Sequence, residues 1–328
     1  MDPLHLIVLA ASILLAINVG GNNSAAEMGP AFGSGIRSKL EAVILIAVFS
    51  MIGAIVAGEH VVHTIGSGIM DPAHLKGNVS GLMVILLSAT ALIGFANFLR
   101  VPVATSHAMV GAVVGMGLYH HSVQWDNVTR IVIWWLATPL FALVLSYCIG
   151  RFIYPALAER LSHLSGEKGL ATMFYRGFVT LSGCYMAFSA GSNSLAKAVG
   201  PVVGAGILQP NEAAIWGGLS MALGAFLVGH RLLHTVGKGI TPIDPLKATL
   251  VEVVCGSILL VASHAGVPVS LAEIVTCSVI GFGAAHSGLL LTAQNKHVKT
   301  IYKLWPICPL FTCSVSYGGA WLFDAVTK

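Results

Sequence analysis

Hydrophobic positions along this chain do not alternate with polar ones; they run together. Residues 3–26, 77–99, 101–125, 131–150, 177–196, 253–272, 274–295 and 304–323 each pass without a single Asp, Glu, Lys or Arg. Two further runs, 42–58 and 213–230, are slightly shorter. About twenty apolar residues at 1.5 Å rise cross a roughly 30 Å hydrocarbon core, so the pattern predicts membrane-spanning helices. The runs lack the alternating period of a membrane barrel and are rich in Leu, Ala, Gly and Met, which argues against strands. The expected fold is an all-α polytopic membrane protein with about 10–12 membrane segments.

Composition agrees. Of 328 residues, 56% are hydrophobic and 9% charged, where a soluble domain carries roughly 25% charged residues. A large soluble helical protein is therefore the weaker reading. The 37 glycines would weaken helices in water, but in lipid they let helix backbones approach closely and allow re-entrant hairpins around a polar cavity. The first run opens Met1-Asp2-Pro3, with no basic stretch and no small-residue cleavage site, so it reads as a retained helix. Cysteines 148, 184, 255, 277, 308 and 313 lie in or beside apolar runs. They have neither metal-ligand spacing nor a disulfide framework and read as small buried hydrophobes. A net charge of +4 is too small and scattered to suggest nucleic acid. Arg151, Arg160, Lys168 and Arg176 cluster centrally, which would put that segment on the cytoplasmic side.

The chain also repeats itself. His63-Thr64-Ile65-Gly66-Ser67-Gly68-Ile69 returns as His234-Thr235-Val236-Gly237-Lys238-Gly239-Ile240, an offset of 171. At that offset Leu75-Lys76 matches Leu246-Lys247, Asn22 matches Asn193, and Gly29-Pro30 matches Gly200-Pro201. Gly33, Gly35 and Ile36 match Gly204, Gly206 and Ile207. Val101-Pro102-Val103 and Gly117 match Val267-Pro268-Val269 and Gly283 at an offset of 166. Two homologous halves follow, 1–150 and 175–328, joined by a polar connecting loop, 151–174. Duplicated membrane halves are typical of secondary transporters, whose substrate sits near the midplane between the repeats. An inverted arrangement is the preferred one.

Within each half two places combine Gly, Pro and polar side chains. The first is Asn18-Val19-Gly20-Gly21-Asn22-Asn23-Ser24, continuing to Glu27, and its partner is Ser189-Ala190-Gly191-Ser192-Asn193-Ser194, continuing to Lys197. Gly this dense, with Pro just beyond, predicts a broken helix whose freed N–H groups and positive end form an oxyanion site. A kinked helix with Asn and Ser as interhelical glue is the competing reading. The second place is Pro102-Val103-Ala104-Thr105-Ser106-His107, matched by Pro268-Val269-Ser270-Leu271-Ala272-Glu273. A hairpin entering the membrane and returning fits this pattern, with Thr105 and Ser106 as donors at its tip; ordinary N-capping is the alternative.

Ionisable groups inside a membrane are functional candidates. Here they are Glu27, Lys197, His107 and Glu273, whereas Glu252 opens an apolar run and reads as interfacial. Lys197 beside Asn193 and Ser194 would bring a full positive charge to an anion, unless it snorkels outward. His107 could instead be a neutral ring satisfied by a backbone carbonyl. His60, His63, His230 and His234 have no third ligand at matching spacing, so no metal site is expected, and nothing implies a cofactor. A nucleophile–base pair is also missing, which leaves an enzyme unsupported.

The repeated Asn motif, the two His-Thr segments and the two Pro-Val segments together resemble the inorganic phosphate transporter (PiT) family over nearly the whole chain. That family carries in each half Gly-Ala-Asn-Asp-Val-Ala-Asn, two residues and Gly, and also Pro-Val-Ser-Thr-Thr-His. The resemblance implies inverted repeats, re-entrant hairpins, a site between the halves and a homodimer. This chain departs from the pattern where the chemistry lies. The signature Asp is replaced by Asn23 and Ser194, and the second Asn by Ala26 and Lys197. In the second hairpin the two Thr positions hold Leu271 and Ala272, leaving Ser270, and Glu273 stands opposite His107.

The family's aspartates look suited to binding a coupling sodium ion and to accepting a hydrogen bond from protonated phosphate. Sulfate carries no proton, so a site that loses acceptors and gains donors suits it better. The sequence therefore points to the sulfate-permease branch of the family, in a bacterial cytoplasmic membrane. Candidate substrate ligands are Asn22, Asn23, Ser24, Thr105, Ser106, Asn193, Ser194, Lys197 and Ser270. Protons are the expected coupling ion, with Glu27, His107 or Glu273 as carrier. A phosphate transporter, or an uncoupled oxyanion channel or sensor, remains open from the residues alone.

Overall fold

The computed structural model describes residues 3–28, 31–32, 35–99, 101, 103–164, 170–229, 244–288 and 296–327. Almost all of them are helical. In chain order the helices are α1 (Pro3–Glu27), α2 (Lys39–Ala57), α3 (Glu59–His63), α4 (Val79–Phe98), α5 (Thr105–Tyr119) and α6 (Trp125–Cys148). Then come α7 (Tyr154–Leu164), α8 (Leu170–Gly204), α9 (Pro210–Gly224), α10 (Pro245–His264), α11 (Leu271–Ser287) and α12 (Lys296–Thr327). Among the described residues no strand forms. In the first half the His63-Thr64 segment closes α3 and winds into a π turn, Thr64–Gly68. Its counterpart, 234–240, lies outside the described residues, as do Gly29-Pro30, Gly33, Pro102, Lys168 and His230.

The repeat seen in sequence is also a repeat of elements. The starts of α2 and α9 lie 171 residues apart, and those of α4 and α10, and of α5 and α11, 166 apart. In each half consecutive helices form a hairpin, α4 with α5 in the first and α10 with α11 in the second, where the tip is 265–270.

Glycine shows how the halves interlock. A Cβ on Gly53 would lie 1.9 Å from the carbonyl oxygen of Phe188, and one on Gly224 would lie 1.9 Å from that of Ile17. A Cβ on Gly191 would be 2.0 Å from the Ser50 carbonyl, and one on Gly20 would be 2.1 Å from that of Met221. Gly53 and Gly224, Ile17 and Phe188, Gly20 and Gly191, and Ser50 and Met221 are all counterparts at the offset of 171. So α1 packs on α9 and α2 on α8, with backbones close enough for van der Waals contact along their length. The hairpins interlock the same way: Gly115 of α5 meets Cys313 of α12, and its counterpart Gly281 of α11 meets Leu143 of α6. In each case a helix of one half rests on a helix of the other.

The outside of this bundle is apolar. Phe98, Leu136, Leu140, Leu310 and Trp321 are all more than half exposed, and among the described residues five helices are long and apolar enough to cross a bilayer. Large contiguous apolar exteriors belong in lipid, where they cost nothing. This is a multi-pass membrane protein.

Three expectations need correcting. The polar segments 18–24 and 189–194 do not break their helices, because α1 and α8 run straight through them. Their Asn and Ser side chains find partners across helix interfaces, and their glycines are used for close packing, so the helical backbone keeps its own hydrogen bonds. The irregular backbone falls instead at the two hairpin tips. Glu252 is not interfacial: it is 2% exposed and its Oε2 accepts from the Ser182 hydroxyl at 2.5 Å. Part of 151–174 is helical too, as α7 and the start of α8.

Gly53→Val and Gly224→Val are therefore expected to lower the thermal unfolding midpoint of the detergent-solubilised protein, through overpacking of about 1–3 kcal/mol or more. Gly177→Ala, where an added Cβ meets nothing within 4 Å, should leave the midpoint unchanged or slightly raised.

Candidate functional site

Hairpin tips in an apolar interior must have their backbone groups satisfied by protein. Asn193 does this for the second tip, and Asn22 anchors the end of the helix that leads into the first. Asn193 of α8 accepts from the Val269 N–H at 3.0 Å and donates to the Val267 carbonyl at 2.9 Å and to Ser263 Oγ at 3.2 Å. In α1, Asn22 Nδ2 donates to Asn97 Oδ1 at 2.9 Å, and Asn97 Nδ2 donates to the Asn18 carbonyl at 2.9 Å. Asn97 and Ser263 occupy counterpart positions at the ends of α4 and α10, so each hairpin is tied at the same place by the same Asn of the signature.

Between the two ties lies Lys197, with no exposed surface. Its ammonium donates to the Val269 carbonyl at 3.1 Å, to Ser194 Oγ at 3.3 Å and to Thr105 Oγ1 at 3.4 Å. These oxygens come from the second tip, from α8 and from the start of α5. Asn23 Nδ2 donates to the same Ser194 hydroxyl at 2.8 Å, which closes a chain from α1 to the ammonium. Lys197 also interacts electrostatically with Glu273 and Glu27. The side chain does not snorkel, and bare burial of a cation costs several kcal/mol, so this oxygen set is what makes the charge tenable.

His107 and Glu273 form the second group. Nε2 and Oε1 face each other at 3.3 Å. Nδ1 lies 3.2 Å from the Trp305 carbonyl, and the ring packs on that of Trp135 with centroids 3.8 Å apart. His107 thus meets a backbone carbonyl through one ring nitrogen and faces a carboxylate with the other. Glu27 lies apart, its Oε2 3.5 Å from the Ser50 hydroxyl, which donates more closely to the Ala187 carbonyl at 3.0 Å.

The hydroxyls divide. Ser270 caps α11 by accepting from the Glu273 N–H at 3.4 Å, and Ser24 turns back to the Gly21 carbonyl. Thr105 and Ser106 are not caps: α5 starts after Ala104 with no side-chain cap. Thr105 takes the lysine, and Ser106 Oγ is buried without a partner. Every predicted ligand is at most 5% exposed. Among the described residues eight buried side-chain atoms have no hydrogen bond, and five of them belong to Asn22, Glu27, Ser106, His107 and Glu273. Buried polar atoms are nearly always paired, so unpaired ones are unusually frequent among these residues.

Sequence reading missed Asn97, Ser263 and Ser50. The first two could have been found, since Asn97 and Ser263 stand 166 residues apart in otherwise apolar helices. His60 is exposed and meets His264 edge-on, with centroids 5.8 Å apart.

Interlocked halves, two tied hairpins and a sealed polar centre define a polytopic membrane transporter. The comparisons with known proteins say which kind: the phosphate transporter family matches over residues 19–316, and the chain belongs to it. It is 36% identical to the "Sulfate permease CysP" of Bacillus subtilis, over 96% of this chain and 86% of that one. To the "Inorganic phosphate transporter 2-1, chloroplastic" of Arabidopsis thaliana it is 24% identical, over 95% of this chain and 71% of the relative. The solved structure titled "The sodium-dependent phosphate transporter" superposes with a TM-score of 0.84 at 23% identity, covering 99% of this chain and all of that one. That likeness concerns the fold.

Asn193→Leu removes both partners of the second tip at once, at about 1–3 kcal/mol for each backbone group left unpaired. The expected result is a lower thermal midpoint and faster labelling of a cysteine placed at Ser270. Unchanged labelling would show that the tip holds itself.

Proposed function

We propose that this chain is a secondary active transporter that imports sulfate across the cytoplasmic membrane of a bacterium, driven by protons and independent of sodium. The observation that carries the reading is the Lys197 ammonium, braced by Thr105, Ser194 and Val269, with Asn23 and Ser194 where the family's signature has Asp. Sulfate offers only acceptor oxygens. A charged donor, the Asn23 amide and the hydroxyls of Thr105, Ser106 and Ser194 are complementary to it. A carboxylate at position 23 or 194 would repel it.

The same ammonium bears on coupling. It supplies, tethered to the protein, the positive charge that a mobile cation would otherwise bring beside a dianion. With a charge already in place and no carboxylate at 23 or 194 to hold sodium, a sodium requirement loses its chemical basis. The 36% identity to a sulfate permease supports the same choice. The homodimer belongs to this reading through the family resemblance, and cross-linking in native membranes checks it.

One observation favours a second reading. Glu27 Oε1 and Glu273 Oε1 are buried acceptors without a hydrogen bond, and a protonated phosphate could donate to either. Uptake of labelled sulfate into proteoliposomes separates the two. Accumulation under an imposed proton gradient, unaffected by a sodium gradient and by excess phosphate, is the expected result. Sodium-driven phosphate uptake would overturn it. Lys197→Met should weaken sulfate competition by roughly ten- to 150-fold, the worth of a charge-assisted hydrogen bond. Asn23→Asp should also weaken sulfate binding, and more steeply as pH rises and the new carboxyl ionises.

A further inference from the structure

Resting on the transporter reading above, we infer that His107 and Glu273 form a single unit that must hold one shared proton for the oxyanion to be held. The pair thereby ties the movement of one to the other.

The two residues are counterparts: His107 of α5 and Glu273 of α11 stand 166 residues apart, the offset that relates the two hairpins. Asn23 and Ser194, which also touch, stand 171 apart, the offset that relates α1 to α8. A residue meets its own counterpart only on the axis that exchanges the halves. In the inverted arrangement that the repeat favours, that axis lies in the membrane plane, and both contacts then fall where a group is equally placed towards either face, as a proton passed from one side to the other requires.

The chemistry of the pair then follows from which atoms can donate. The Trp305 carbonyl can only accept, so His107 Nδ1, 3.2 Å away, carries a hydrogen. The variable position is Nε2. It faces Glu273 Oε1 at 3.3 Å, and neither atom has any hydrogen bond. With no proton between them, a nitrogen lone pair faces a carboxylate. With one on each, two hydrogens point at one another and a net positive charge is buried. With one proton shared, each atom has its partner and the pair is neutral overall, whichever side holds it. The Trp135 ring against the imidazole, 3.8 Å between centroids, keeps it from turning away.

The surrounding groups set the direction of coupling. Facing the pair are Lys197 on α8, which interacts with both members, and Cys308 on α12 beside Glu273; Glu27 on α1 lies apart from the pair but interacts with Lys197. Trp135 on α6 and Trp305 on α12 bring no charge, and Thr105, Ser106 and Ser270 bring hydroxyls. When the pair is protonated it adds no charge to this centre, and the lysine is free to attract a dianion. When it is deprotonated it adds a full negative charge beside Lys197, which repels the dianion and pairs with the ammonium in its place. The proton passes from water on the loading side to Nε2 or Oε1 and leaves to water on the other side, and no bond to the oxyanion changes. Anion and proton then favour each other's binding reciprocally.

Glu273→Gln tests this. A glutamine amide N–H donates to Nε2 permanently, so the neutral arrangement no longer needs a proton. In proteoliposomes holding a pH dye, exchange of labelled for unlabelled oxyanion at equal pH should persist, while proton-driven accumulation falls about tenfold or more and the lumen no longer acidifies on uptake. Continued acidification and accumulation in this variant would overturn the inference. If exchange is also lost, the double variant His107→Glu with Glu273→His decides: it regenerates the same pair with its ends reversed. Restored proton-driven uptake supports the unit, and no recovery in a protein that runs as a single folded peak overturns it. The wild-type protein is run first with sulfate and with phosphate, under proton and under sodium gradients. Failure of the substrate or coupling-ion reading is then seen before any variant is made.

Discussion

A lysine side chain held away from water governs the centre of this molecule. The Lys197 ammonium has no exposed surface, and the desolvation of such a group is tolerable only where oxygens are aimed at it. Three are: one each from the second hairpin tip, from α8 and from the first turn of α5. None belongs to the same element as another. The charge therefore holds together parts of the chain that nothing local would join, and it depends on each of them staying in place. Moving either hairpin by an ångström or two would take away one of its three ligands.

That dependence explains the investment in positioning around it. Asn193 bonds the backbone of the second tip directly, where a hairpin end in an apolar interior has no water to satisfy it, and Asn22 secures the end of α4 through Asn97. The helices carrying those asparagines are fixed in turn by glycine contacts with the opposite half, Gly20 on Met221 and Gly191 on Ser50. In lipid, close packing has to supply what the hydrophobic effect supplies in water. The order of support thus runs from backbone contact, to asparagine tie, to tip, to ammonium. The two halves hold each other at every level, so neither could keep the centre in register without the other.

Much of this was legible in the sequence. Uninterrupted apolar runs gave the helices, and the offset of 171 giving way to 166 gave the matching of elements that the helix starts reproduce. The hairpins are readable from Pro-Val followed by small polar residues in both halves, and Glu27, His107, Lys197 and Glu273 stand out in the sequence as ionisable groups within polar segments of apolar runs. What misled was composition read locally. Asn, Ser and Gly at 18–24 and 189–194 looked like a helix break because in isolation such residues compete with helical hydrogen bonds. In the fold their partners lie on other helices, and a one-dimensional reading does not see them. Glu252 was misplaced for the same reason, since Ser182, its partner, is 70 residues away. Asn97 and Ser263 were overlooked although the offset linked them, because a lone amide or hydroxyl in an apolar helix carries no motif.

The departures from internal symmetry are as informative as the symmetry. At the two places where counterpart residues touch, a perfectly duplicated chain would set Asn against Asn or Asp against Asp, and His against His. Like-charged neighbours with little water between them cannot both stay ionised. This chain places Asn23 on Ser194 and His107 on Glu273, converting each self-contact into a donor facing an acceptor. Lys197, whose counterpart is Ala26, adds a charge on one side only. A centre built this way has the shape of a two-fold site but unequal halves. A bound tetrahedral anion, which has no preference of its own between the halves, would be drawn to the side that carries the ammonium.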